Sequence, residues 1–83
     1  MVSKIFAVYD KSVGVYSQPY FLQHKGHMLR SFSDEVNNSE SALSKHPGDF
    51  ALYALGEYDD NSGVLSPLAQ PEFIASASEF KSK

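Results

Sequence analysis

The sequence predicts an α+β fold: a small antiparallel sheet from two β-hairpins, with one amphipathic helix between them (ββ-α-ββ). Three observations predict it. Runs rich in β-branched and aromatic residues occupy both halves of the chain. An Asp-x-x-x-Gly turn sits inside each half, at Asp10 to Gly14 and at Asp59 to Gly63. Between the halves, the apolar spacing changes from a strand pattern to a helical one.

Lys4 to Tyr9 is apolar on both faces, which suits a central strand. Asp10 to Gly14 turns the chain: aspartate bonds nearby amides, and glycine accepts positive φ. Val15 to Leu22 reads as a second strand, and Pro19 confines it to an edge or a bulge because proline has no amide donor. Gln23 to His27 reads as a polar connector. Leu29, Phe32 and Val36 then fall at i, i+3 and i+7, which predicts a short amphipathic helix over Met28 to Asn37. Ser39 is placed to cap a second turn over Glu40 to Lys45, and Pro47-Gly48 ends it. Phe50 to Tyr58 is the best strand of the second half, with Gly56 marking a bulge or a close backbone approach. Asp59 to Gly63 is a loop, and Val64 to Leu68 returns as a strand that Pro67 cuts short. Glu72 to Phe80 fits a strand or a short helix. The two turns echo each other: Tyr9-Asp10, Gly14-Val15 and Ser17 match Tyr58-Asp59, Gly63-Val64 and Ser66 in spacing.

With 83 residues the chain has room for one domain, 1–83, with a tail expected to fray from about residue 81. A domain of this size buries a modest fraction of its surface, so it gains from a supplement. There are no cysteines, which removes disulfides and thiolate metal sites. Self-association, as a dimer or higher oligomer, is the expected supplement. No apolar run approaches a membrane span, and Met1 to Ile5 has no signal-peptide pattern, so no membrane association is expected.

The net charge of −3 opposes generic nucleic-acid binding. Its distribution matters more. Up to Ser33, Lys4, Lys11, Lys25 and Arg30 stand against Asp10 alone; from Asp34 onward three cations face nine acids.

Catalytic and metal chemistry find little support. Asp59 to Gly63 resembles the start of a calcium loop, but the twelfth position is Gln70 or Pro71 rather than glutamate. His24 and His27 lack a nearby third ligand. No nucleophile elbow, phosphate loop or dinucleotide fingerprint is present. The expectation is a protein that is not an enzyme, with no metal and no cofactor.

Single-strand binding is the remaining candidate. Such sites combine cations along a groove with aromatic faces on which bases stack. The first hairpin interleaves these types. Lys4, Lys11, Lys25 and Arg30 are the candidate phosphate contacts, and Tyr9, Tyr16 and Tyr20 the candidate stacking residues. The competing account makes Phe6 and Phe21 core and sets the tyrosines at core edges with wet hydroxyls.

Five segments also carry a family resemblance: Ile5 to Asp10, Pro19 to Phe21, Arg30 to Asn38, Lys45 to Phe50, and Leu55 to Asp60. In that order, and at this length, they resemble the small nonstructural protein of gokushovirus-type microviruses, which are phages with circular single-stranded DNA. The resemblance runs from about Ile5 to Phe80. It implies a protein of the host bacterial cytoplasm, made during infection, that acts in single-stranded genome replication or packaging through DNA binding. The alternative is a protein–protein interaction module that acts on a viral or host replication protein, or a capsid protein, without touching DNA.

Overall fold

The computed structural model describes residues 1–81. Nine residues, Val2–Asp10, form β1. It lies inside the sheet, as its two apolar faces require, with β4 (Phe50–Asp59) on one side. On its other side run two short edge strands, β2 (Val15–Tyr16) and β3 (Tyr20–Leu22). The chain leaves the ladder between them at Gln18-Pro19, where the missing proline donor demands it. Ser17 holds that excursion to β1, its amide donating to the Val8 carbonyl and its Oγ accepting from the Val8 amide. The fifth strand, β5 (Val64–Ser76), pairs with β4 and forms the opposite edge. All pairings are antiparallel.

Helix α1 (Lys25–Val36) lies on one face of this sheet. Its buried residues Met28, Phe32 and Val36 recur every four positions and pack with Phe6, Val8 and Leu52. Phe6, Phe32, Leu52 and Val36 are the largest fully buried side chains; each such burial is worth about 1.5–3 kcal/mol. Leu29, expected on the buried stripe, packs only at its border, and Met28 takes the central place. The helix begins at Lys25 rather than Met28, so Gly26 and His27 belong to its first turn instead of a connector. Glycine is tolerated there because first-turn amides have no helical partner to lose.

A short helix α2 (Ala42–Lys45) follows. Its cap is Ser41, not Ser39: Ser41 Oγ accepts from the Leu43 amide at 3.1 Å. A 3-10 turn, Pro47–Asp49, leads into β4.

Pro67 does not end the last strand. β5 continues to Ser76 as an edge strand, a place where proline is tolerated when its missing amide would face solvent. The irregularity falls elsewhere: Gly56 pairs with Pro67 and Ala54 with Glu72, so residues 68–71 bow out opposite Leu55. Segment 72–80 is both of its expected alternatives in succession, strand to Ser76 and then a 3-10 turn, Ala77–Glu79. A capping box closes that turn, with the Ser76 amide donating to Glu79 Oε2 at 2.7 Å. Lys81 Nζ donates to Ser44 Oγ at 2.6 Å. Residues 82 and 83 of the expected tail lie outside the described residues.

The echoed turns share one geometry. Gly14 and Gly63 have φ of 72° and 73°, and the amide of each donates at 2.8 Å to the carbonyl of the aspartate four residues earlier. Asp10 Oδ1 accepts from the Ser12 amide, and Asp59 Oδ1 from the Asn61 amide, both at 2.9 Å. The would-be calcium loop is thus one of two matching hairpin turns.

Candidate nucleic-acid interface

Strand register divides the sheet into two unlike faces. Successive side chains point to opposite sides. Phe6 and Val8 face α1, so Ile5, Ala7 and Tyr9 face away from it. Their cross-strand partners follow: Tyr16 beside Tyr9, Phe21 beside Ile5, Tyr53 beside Ala7, and Phe73 beside Tyr53. No helix among the described residues covers this outer face.

Its aromatic rings form a continuous row across the sheet. The Tyr9 and Tyr16 ring centroids lie 4.6 Å apart. Tyr53 meets Tyr9 at 5.9 Å and Tyr16 at 5.7 Å, both edge-on. Phe73 extends the row from Tyr53 at 5.8 Å. Each of β2, β1, β4 and β5 thus supplies one ring. Farther along the same face, Phe21 and Tyr58 make a second edge-on pair at 5.8 Å. The ends of the row are open: Tyr16 is 43% exposed and Phe73 is 53% exposed. The small buried residues Ala7 and Ala51 lie between the larger ones and keep the surface low there.

The seven residues named from sequence divide between the two sides. Tyr9 and Tyr16 come together. Tyr20 does not join them; its register partner is Phe6, which places it on the α1 side. Lys4 is also on that side, where its Nζ lies 3.9 Å from Glu57 Oε2. Lys25, the first residue of α1, lines the same shallow groove as Lys4, together with Glu57 and Glu72. Arg30 is exposed on the helix. Lys11 lies in the turn just beyond Tyr9 and Tyr16, its backbone amide bonded to the Asp49 carbonyl. The expected joint patch of cations and phenol rings therefore does not form. No described residue that the register places on the outer face is charged.

Three rings escaped sequence reasoning. Tyr53, Tyr58 and Phe73 belong to the acidic half and reach the first hairpin only through strand pairing. The available signal was alternation in β4, where buried Leu52 separates Ala51 from Tyr53. Phe21, expected in the core by the competing account, is half exposed on the outer face, whereas Phe6 is core.

The shortest ion pair among the described residues lies at the end of the sheet where β1 begins. The Met1 amine donates to Asp60 Oδ1 at 2.6 Å. That hydrogen bond, helped by the nearby Asp59 and Asp60 charges, raises the amine above its ordinary pKa.

Residues 3–80 match the family model described as Phage ORF5 protein. No curated protein matches the chain, and no solved structure matches it.

Proposed function

The chain belongs to the phage ORF5 protein family, and from that premise we propose that it is a non-enzymatic accessory protein that binds single-stranded DNA on the outer face of its sheet. The single observation that supports this reading is the aromatic row Tyr16, Tyr9, Tyr53 and Phe73 on a face that no helix covers. Bases splayed from a single strand stack on such rings, at about 1–3 kcal/mol per base, whatever their sequence. A duplex hides its bases and gains little from this surface. Lys11, at the end of the row nearest Tyr9 and Tyr16, is the cation best placed for a backbone phosphate. Lys4, Lys25 and Arg30 contribute to the general field around the protein rather than to the face itself.

The likeness to gokushovirus-type microviruses extends the proposal to its setting. Such a protein acts in the host bacterial cytoplasm while single-stranded genomes are made or packaged. Self-association belongs to the same reading, since the chain is small and the edge strand β5 exposes Val64, Leu65 and Leu68.

The deciding experiment is a fluorescence-anisotropy titration of a labelled thymidine oligonucleotide, at low and at high salt, against the same sequence as a duplex. Saturable binding of the single strand, stronger than of the duplex, supports the reading. Absence of binding at low salt ends it.

The charge-free character of the outer face favours a second reading, a protein-interaction surface that engages a viral or host replication protein. Apolar, aromatic surface without charge is typical of interface centres. Under that reading a purified partner binds, the oligonucleotide does not, and substitution of Tyr53 weakens the protein complex.

A further inference from the structure

Between the β2–β3 edge and α1 there is an open groove of about 780 Å³, lined by residues of the α1 side and, at its edge, by Tyr16 and Phe21. That is within the size range of sites that hold organic ligands or peptide side chains. Its floor is apolar, from Val8, Met28, Phe32, Leu43 and Phe50, and Ser31 and Glu35 stand on the helix wall. Tyr20 stands at the rim, 45% exposed. It is the one sequence-named tyrosine that the register turns toward the helices. In its floor Val8, Met28 and Phe32 are buried core residues, and Leu43 and Phe50 are partly buried at the border of the core.

The charges around it have one sign. Asp10 and Glu35 are the carboxylates that line the groove, and no lysine, arginine or histidine lines it. Asp10 Oδ1 is engaged by the amide and hydroxyl of Ser12. Glu35 is exposed and makes no ion pair among the described residues. Phosphate and lipid headgroups are repelled by the same arrangement.

We infer that this groove docks a peptide segment of a partner protein that carries an apolar anchor side chain flanked by lysine or arginine. The anchor enters between Tyr20 and the α1 residues Met28 and Phe32. The flanking cation meets Glu35. The groove opens mainly on the α1 side of the sheet but reaches the edge rings Tyr16 and Phe21 of the outer face, so peptide and oligonucleotide binding are tested separately.

The test uses the full chain and two fluorescein-labelled peptides of equal length, with identical leucine and phenylalanine anchors. One carries lysines beside the anchors, the other glutamates. Saturable anisotropy change with the lysine peptide only is the expected result. Two substitutions at exposed wall positions probe the place: Glu35→Lys and Ser31→Arg. Each should weaken the lysine peptide by about fivefold or more, because a like charge now opposes it. Circular dichroism checks that both variants fold, and oligonucleotide binding by both serves as an independent control. Equal binding of the two peptides overturns the inference. So does undiminished binding by both folded variants, or displacement of the lysine peptide by thymidine oligonucleotide, which would assign the contact to a nucleic-acid site.

Discussion

Tyr53 meets Tyr16 edge-on at 5.7 Å, although the first lies on β4 and the second on β2, with the whole of β1 between their strands. The contact closes the row of rings and makes Tyr53 its hub, touching Tyr9, Tyr16 and Phe73. Replacing Tyr53 with leucine keeps apolar bulk on the face but removes the ring. Oligonucleotide affinity should fall by about 1–3 kcal/mol, the worth of one stacked base, while the far-ultraviolet spectrum stays that of the parent. Anisotropy titration of the folded variant measures it. An unchanged affinity would move the binding surface elsewhere.

The absence of charge on that face makes a second prediction. Single-strand binding releases counterions in proportion to the phosphates neutralised, with a log–log salt slope of about −0.7 per phosphate. With Lys11 as the one sequence-named cation next to the row, the slope should correspond to about one or two phosphates. Titrations over a range of salt concentrations give it. A steep slope, with loss of binding on Lys4→Gln or Lys25→Gln, would place the strand on the α1 side.

Much of this arrangement is legible in the residues, and the rest is not for definite reasons. The central position of β1 follows from apolar residues on both of its faces, and α1 from helical spacing of Phe32 and Val36. Pro19 and Pro67 carry the same local signal, yet one interrupts its edge strand and the other does not. Proline reports an absent donor, and whether the ladder needs that donor depends on whether the amide at that position faces the neighbouring strand or solvent. The division of Lys4 from Tyr9 was within reach of strand periodicity, since five positions is an odd interval and puts them on opposite faces. The joining of Tyr53 and Phe73 to the first hairpin was not. It depends on register across two irregular pairings, at Ile5/Phe6 and at Leu52/Tyr53, which no local pattern encodes.

Gly56 borders the irregularity with β1 and the larger of the two with β5. Its φ is 155°, and a β carbon there would run into the Ser66 carbonyl oxygen and lie 2.7 Å from Pro67 Cα. Both obstacles are backbone and cannot swing away. Gly56→Ala should therefore cost at least about 2–3 kcal/mol, from conformational strain and from separation of β4 from β5. Gly63→Ala meets open space and suffers only its left-handed φ, so it should cost about 1 kcal/mol. Urea denaturation of the two variants compares them directly. Equal losses would mean that the close approach at Gly56 is unimportant to stability.

The packing of α1 predicts an order of sensitivities on one helix. Phe32 is 2% exposed and touches Phe80 edge-on at 5.9 Å, as well as joining the central cluster. Phe32→Ala should cost about 3–5 kcal/mol, enough to unfold much of a domain this small. Leu29, at the border of the cluster, can be truncated with a smaller loss because its cavity opens to solvent. Thermal melts of both variants rank them, and a reversed order would mean that the helix is rotated from the placement described.

The exposed edge of β5 leads to the last prediction. An unpaired strand offers free backbone donors and acceptors, and here it also carries exposed Val64, Leu65 and Leu68. Residues 68–71 bow out of the ladder opposite Leu55, so only the part of the strand before them presents a regular edge. A second copy that pairs there in antiparallel fashion would extend the sheet across a two-fold axis and leave both aromatic rows on one continuous surface. Joining two rows would bind a longer strand through two linked contacts, which raises affinity without new chemistry. Light scattering coupled to gel filtration should thus show a concentration-dependent dimer. Leu65→Lys should shift it toward monomer and weaken a long oligonucleotide more than a short one. A chain that remains monomeric at high concentration, or a Leu65→Lys variant with undiminished preference for the long oligonucleotide, would break the link between the edge and binding.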